Sequence, residues 1–206
     1  TGCRIVCGPD AAVAELNAGH TDAGWIKVDD VASFTHHPDA GAYFNLYENA
    51  AAADYSGLSA PIFINAVTDT LKAGETAPLI RINGWPGFLQ RTVWEAAGNI
   101  DSRAKEVLSS LNKKLLAVGD EPGLVAARVI AMIINEAYFA LADEVSSREE
   151  IDTAMKLGTN YPFGPFEWAG KIGLEKIARL LQVLSETDKR YLPCPLLLQT
   201  ANSLPA

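Results

Sequence analysis

Few residues in this chain have the types and the spacing that metal binding or nucleophilic catalysis requires. Three histidines are present, and two of them, His36 and His37, are adjacent in front of Pro38. A ligand pair on a helix needs a spacing such as i, i+4, so we interpret this pair as surface-loop residues. The three cysteines are too few for a disulfide framework or a metal site, and we expect reduced thiols in a cytoplasmic protein.

A phosphate-binding loop is also missing. Binding of a dinucleotide needs G-x-G-x-x-G after the first strand, because backbone amides must approach the pyrophosphate. None of the 16 glycines forms a G-x-G pair, and the first predicted strand is followed by Gly8-Pro9-Asp10. Pro9 removes an amide donor, and Asp10 adds a negative charge. Asp29 or Asp30, after the second strand, could hold a ribose, but we favour a role in a turn.

Two polar segments remain as candidates. Asn83-Gly84 follows a predicted strand, and Glu95 lies twelve positions after Asn83 in a run that we expect to be helical. Asn-Gly is typical of a turn, and Glu95 is either a solvated or Arg-paired carboxylate or the remnant of a site. The loop 159–165, with two prolines and a glycine, is either a structural helix connection or part of a binding pocket.

The elements that must position these residues are of two kinds. Up to residue 118, β-rich runs alternate with helical runs, which favours βαβ units and a mainly parallel sheet. The predicted strands are 4–7, 25–28, 42–47, 61–65, 78–82 and 115–118. The predicted helices of this part are 11–18, which Gly19 would end, 68–73 and 101–111.

After residue 118 the pattern becomes helical. Helices are predicted over 124–143, 147–157, 166–169 and 174–184. Pro122 is placed to open the first of them, Ser147-Arg-Glu-Glu150 has capping-box spacing, and Gly158 is expected to end the second in a left-handed conformation. The sequence therefore predicts a sheet domain over residues 1–118 and a helical domain over residues 119–206.

Composition excludes several classes of protein. Hydrophobic residues make up 49% and charged residues 20%, which is globular composition. The net charge of −8 argues against nucleic acid as a partner, since phosphate binding needs a basic surface. The most apolar segment contains Arg128, Asn135 and Glu136, which favours a buried helix over a membrane span.

The second half carries a long and specific pattern. It comprises Asp120-Glu-Pro-Gly123, the run RVIAMIINEA over 128–137, and G-x-N-x-P-x-G-P-F over 158–166. This pattern resembles the C-terminal helical domain of the 3-hydroxyacyl-CoA dehydrogenase family. The resemblance implies an α/β fold, with a reduced Rossmann-like parallel sheet domain followed by an all-α domain like the C-terminal domain of 6-phosphogluconate dehydrogenase. It also implies NAD-linked oxidation of an L-3-hydroxyacyl-CoA in fatty-acid metabolism.

The family's catalytic residues can be carried over position by position. A His takes the proton of the 3-hydroxyl while hydride passes to NAD, and a Glu orients that His. The best match places Asn83 at the His position and Glu95 at the Glu position. A family Asn that helps hold the substrate is Ala127 here. Because an amide cannot accept a proton near neutral pH, we expect the dehydrogenase chemistry to be impaired or lost.

The resemblance also implies a ligand and a partner. The residues that correspond to the family's acyl-substrate pocket are Asn160, Pro162, Gly164, Pro165 and Phe166. Without the glycine loop we expect no cofactor, although the family uses NAD, and we expect no metal. We also expect a homodimer through the C-terminal helices, because apolar residues cover most of the long helix. Two functions stay open: an impaired dehydrogenase, and a non-catalytic protein that binds an acyl-CoA or a partner.

Overall fold

The computed structural model describes residues 2–18 and 24–203. The chain forms two compact units, residues 1–124 and residues 125–206. The first contains a β-sheet with short helices, and the second contains α-helices and a 3₁₀ turn. Gly19, which the sequence predicts as the end of the first helix, lies outside the described residues.

A seven-stranded sheet organises the first unit. Its strands are β1 (Arg4–Cys7), β2 (Trp25–Lys27), β3 (Ala42–Asn45), β4 (Ile62–Asn65), β5 (Leu79–Ile82), β6 (Val93–Gly98) and β7 (Lys114–Ala117). They lie in the order β2-β1-β3-β4-β5-β6-β7, and every neighbouring pair is parallel except β5 and β6. The prediction of a mainly parallel sheet is therefore confirmed. The strand order reverses between β1 and β3, which is the point where a doubly wound sheet opens a ligand crevice at its carboxyl edge.

Both faces of the central strands are covered. The helices α1 (Asp10–Asn17) and α2 (Ser102–Ser109) pack on one face, and the 3₁₀ helices Ala32–His36 and Ala50–Ala52 pack on the other. This burial explains why β3, β4 and β5 are mostly apolar, without regular alternation, and why every one of their residues is buried.

Two predictions for the first unit are wrong. The run around Glu95 is not helical but forms β6, in which Trp94 and Ala96 are buried while Val93 is exposed. Such alternation is the two-residue period of a strand. The segment 68–73, predicted as a helix, contains no helical residue. A run of six residues gains too few hydrogen bonds to offset the cost of helix nucleation.

Five helices form the second unit. They are α3 (Ala126–Ala142), α4 (Arg148–Thr159), α5 (Pro165–Ile172), α6 (Leu174–Thr187) and α7 (Pro195–Ser203), and a 3₁₀ turn (Lys189–Tyr191) precedes α7. The predicted capping box at the start of α4 is confirmed, because Ser147 Oγ accepts from the Glu150 amide and the Glu150 carboxylate accepts from the Ser147 amide.

The end of α4 and the end of the chain differ from the prediction. Helix α4 continues through Gly158, and Asn160 adopts the left-handed conformation at φ 56° instead. Asn tolerates this region because its short polar side chain bonds locally. Helix α7 is not predicted by the sequence. It is held by Asn135 of α3, which donates to the Leu192 carbonyl at 2.9 Å and accepts from the Cys194 amide at 2.8 Å.

Candidate functional site

Asn83 and Glu95 are brought together by the antiparallel pairing of β5 and β6. Asn83 directly follows β5, Glu95 lies in β6, and the register sets Ile82 opposite Ala96. Asn83 Nδ2 donates a hydrogen bond to Glu95 Oε1 at 3.3 Å. The two positions to which the family pattern assigns His and Glu are therefore cross-strand neighbours.

The carboxamide of Asn83 is fixed on both sides. Its Oδ1 accepts from the Trp85 amide at 3.1 Å, while its Nδ2 is directed at Glu95. The next amide, that of Gly84, donates to Asn65 Oδ1 at 3.1 Å. Asn83 thus holds the turn after β5, and its side chain supplies donors and an acceptor but no basic nitrogen.

Asn83 belongs to a row of buried asparagines that the sequence analysis missed. Asn45 ends β3, Asn65 ends β4 and Asn83 follows β5, so one lies at the carboxyl end of each of three adjacent parallel strands. Asn45 accepts from the Tyr47 amide at 3.1 Å and donates to the Tyr55 hydroxyl at 2.8 Å. The signal in the sequence is an Asn after each of the runs AYF, IFI and LIRI.

The carboxyl edge between β1 and β3 is closely packed around Gly8. Gly8 follows β1, and a Cβ added to it would lie 2.6 Å from the Cβ of Leu46. Leu46 is 1% exposed, and its amide donates to the Cys7 carbonyl at 2.8 Å. The Tyr47 hydroxyl donates to the Asp29 carbonyl at 3.0 Å, which ties the segment after β3 to the segment after β2. Leu46 therefore packs directly against Gly8 at the edge where a doubly wound sheet binds a pyrophosphate.

The acids near this edge are engaged in local structure. Asp10, at the start of α1, forms a surface ion pair with Lys27, and the hydrogen bond from Lys27 lowers the pKa of Asp10. Asp30 accepts from the amide and the hydroxyl of Ser33 at 3.0 and 2.9 Å, and these bonds lower the pKa of its carboxyl group. Asp30 therefore stabilises a turn, which was the favoured interpretation.

The loop 84–92, between Asn83 and β6, is held from two sides. The Glu15 carboxylate of α1 accepts from the Gly87 and Gln90 amides at 3.0 and 3.2 Å. Lys113 donates to the carbonyls of Leu89 and Arg91 at 2.7 and 3.1 Å, and burial lowers the pKa of its amine. The negatively charged Glu15 side chain thus binds amides of the loop, and the positively charged Lys113 side chain binds its carbonyls.

Arg81 anchors the segment that ends the first unit. This residue of β5 is completely buried, and its Nε donates to the Ala66 carbonyl at 2.8 Å. Its Nη1 forms an ion pair with Asp120, whose other carboxylate oxygen accepts from the Leu71 amide at 3.1 Å. Asp120 of the family-like hinge pattern is therefore a structural counter-ion.

In the second unit, the position of the family's substrate-holding Asn is an apolar site. Ala127 is completely buried in α3 and offers only a methyl group. The alanine side chain cannot donate a hydrogen bond to a substrate.

The predicted pocket residues share a structural role in the connection from α4 to α5. Asn160 caps α4, and Gly164 packs directly on the Asp152 side chain, where a Cβ would overlap it. The Asp152 carboxylate accepts from the Phe166 amide at 2.8 Å, and Pro165 is the first residue of α5. Pro162 is exposed in the same loop. The Asp152 carboxylate of α4 therefore holds the start of α5 at the end of this segment.

Metal and membrane functions gain no support from residues 2–18 and 24–203. In this part of the chain no three His, Cys, Asp or Glu side chains are grouped so that they could hold a metal ion. Within the same residues, no helix has the length and apolarity needed to cross a membrane.

Comparisons with known proteins identify the second half. A family model described as "3-hydroxyacyl-CoA dehydrogenase, C-terminal domain" matches residues 123–204. The 3-hydroxyadipyl-CoA dehydrogenase of Escherichia coli K12 is 44% identical over 115 residues, which are 53% of this chain and 24% of that protein. The 3-hydroxybutyryl-CoA dehydrogenase of Bradyrhizobium diazoefficiens is 41% identical over 98 residues, which are 47% of this chain and 33% of that protein. The chain thus spans a quarter to a third of these relatives.

Two solved structures of 3-hydroxybutyryl-CoA dehydrogenases are also similar to this chain. The 3-hydroxybutyryl-CoA dehydrogenase of Escherichia coli K12 is 36% identical with a TM-score of 0.58, and the match covers 68% of this chain and 31% of that one. The (S)-3-hydroxybutyryl-CoA dehydrogenase of Ralstonia eutropha has a TM-score of 0.72 at 18% identity, covering 98% of this chain and 94% of that one, which shows a shared fold. Residues 123–204 of this chain therefore match the C-terminal domain of the 3-hydroxyacyl-CoA dehydrogenase family.

Proposed function

We propose that this family member has lost dehydrogenase chemistry and acts by binding a CoA thioester or by assembling with a partner. The observation that carries the proposal is the hydrogen bond from Asn83 Nδ2 to Glu95 Oε1. Oxidation of a 3-hydroxyl group needs a base that takes the hydroxyl proton, and a carboxamide has no basic atom at neutral pH. Ala127 likewise removes a polar contact to the substrate.

The absence of a cofactor is part of the proposal. NAD would supply the hydride acceptor in the family's reaction. Leu46 fills the space opposite Gly8, and Asp10 sets a carboxylate at the start of α1, where a pyrophosphate would be repelled. We expect neither NAD nor NADH to bind at physiological concentration.

A CoA thioester is the ligand class that the relatives support. Their printed names specify 3-hydroxyadipyl-CoA and 3-hydroxybutyryl-CoA. The candidate contacts in the second unit are those of the segment 160–166.

Assembly through α3 is the second half of the proposal. Val125 and Val129 are 53% and 51% exposed, and Phe139, on the same side of the helix, is 36% exposed. Met132 and Ile133, between them, are half-buried. These apolar side chains surround the exposed Glu136, and exposed apolar surface of this kind favours an isologous contact with a second copy.

The decisive experiment measures turnover of acetoacetyl-CoA with NADH. We expect background rates, because a missing general base alone costs about 10²–10⁴-fold. Asn83→His should not restore the rate, since the cofactor crevice stays filled. Glu95→Gln is the matched control, and it should leave the background unchanged. NADH consumption by the unmodified protein that Glu95→Gln abolishes would overturn the proposal.

A further inference from the structure

Asn83 and Gly84 form the sole Asn–Gly pair in the sequence. In such a pair the Gly amide nitrogen can attack the Asn Cγ, forming a succinimide as the side-chain nitrogen leaves as ammonia. Water then opens the ring to aspartate or isoaspartate. Glycine favours this reaction because it has no side chain to hinder the attacking nitrogen and its backbone is mobile. The pair is therefore a potential modification site.

The fold holds all three groups that would have to move. The Asn83 Oδ1 accepts from the Trp85 amide, and its Nδ2 donates to Glu95. The Gly84 nitrogen, the attacking atom, directs its hydrogen at Asn65 Oδ1, 3.1 Å away. Ring closure requires that these hydrogen bonds break together.

Asn65 also blocks the space into which Gly84 would have to turn. A Cβ on Gly84 would lie 2.5 Å from the Asn65 Cγ, so the two residues are in close contact. Asn65 is buried, and its Nδ2 donates to the Leu46 carbonyl at 3.3 Å. Its side chain is thus fixed at both ends, and it cannot yield without disturbing the end of β3.

We propose that Asn83 is a latent deamidation site which the folded sheet protects, and that Asn65 is the residue that protects it. Deamidation would put a carboxylate in place of the amide that now donates to Glu95. The two like charges would repel each other, and the turn after β5 would lose a hydrogen bond. The modification would therefore destabilise the loop 84–92.

Peptide mapping by mass spectrometry tests the proposal during incubation of the full chain at mildly alkaline pH. Asn83 should deamidate about 100-fold more slowly in the native protein than in the urea-unfolded chain, a ratio that corresponds to a local opening free energy of about 2.8 kcal/mol. This comparison needs no variant. Equal rates in the native and unfolded chains would overturn the proposal.

Two variants separate local protection from general stability. Asn65→Ala should accelerate native-state deamidation of Asn83 about tenfold, because it removes the acceptor of the Gly84 amide and opens space beside it. Asn45→Ala is the matched control, since Asn45 is a buried Asn at the neighbouring strand end whose side chain bonds Tyr47 and Tyr55 instead. Its rate should equal that of the unmodified protein. Equal acceleration by both variants, or none by Asn65→Ala, would refute the role of Asn65.

Discussion

The ion pair between Arg81 and Asp120 gives a prediction whose size can be worked out. Arg81 is completely buried, and its guanidinium also donates to the backbone carbonyls of Ala66 and Val67. Asp120→Ala would leave this cation without its counter-charge and the Leu71 amide without its acceptor. We therefore expect the substitution to destabilise the sheet unit.

The magnitude follows from burial and screening. Removal of one partner from a fully buried ion pair costs about 3–5 kcal/mol. The Asp120 side chain is 35% exposed, so water screens part of the interaction and we expect about 2–3 kcal/mol. Asp120→Asn keeps an acceptor and loses only the charge, which should cost about 1–2 kcal/mol.

Urea unfolding of the full chain measures the effect, with hydrogen exchange of the β5 amides as the readout. Exchange at β5 reports the sheet unit even where the two units unfold separately. With a slope of about 2 kcal/mol per M, Asp120→Ala should lower the midpoint by about 1 M. Asp10→Asn is the control, because its ion pair with Lys27 is on the surface and Asp10 is 93% exposed. A midpoint for Asp120→Ala equal to that of the control would refute the reasoning.

Three further outcomes are expected. Asn135→Ala should cost about 1–3 kcal/mol in thermal unfolding, because the buried Cys194 amide and the partly buried Leu192 carbonyl lose their partners, and the amides of α7 should exchange first. Burial lowers the pKa of Lys113 in the folded protein, so the Lys113 amine binds its proton more tightly in the unfolded chain. The free energy of unfolding, measured relative to that of Lys113→Met, should therefore rise as the pH increases through the folded-state pKa. Unchanged relative stability between neutral and alkaline pH would contradict this. Light scattering should give twice the chain mass of 22.1 kDa, and Ile133→Asp should lower it; a monomeric mass for the unmodified protein would refute the homodimer.

The local parts of the fold could be predicted from the sequence. Runs such as Ile62-Phe-Ile64 are continuously apolar, which is the pattern of strands covered on both faces. The capping box at Ser147 marks a helix start by itself. The strand β6 could not be predicted, because Val93–Gly98 mixes an exposed Val, a half-buried Glu and two alanines in six residues. The conformation of β6 is set by its pairing with β5 and β7, and a short stretch of sequence around β6 contains neither partner.

The contacts that define the candidate site are even less local. Leu46 fills the space at Gly8 across 38 positions of the chain, and Glu15 binds the Gly87 amide across 72. No pattern within one segment contains such a pairing. The lack of a G-x-G motif predicts a site without a dinucleotide, and only the structure shows that Leu46 packs against Gly8 at this edge.

Under our proposal, the hydrogen bonds of Asn83 explain how the family's His position can change while the turn around it persists. Its carboxamide donates to Glu95 with one end and accepts from the Trp85 amide with the other. A neutral imidazole also has one donor and one acceptor, so Asn can replace His in such a network without leaving a buried group unpaired. What the amide lacks is a nitrogen that binds a proton near pH 7, and that property matters to the reaction but not to the fold. The substitution therefore separates the structural function of the position from its chemistry.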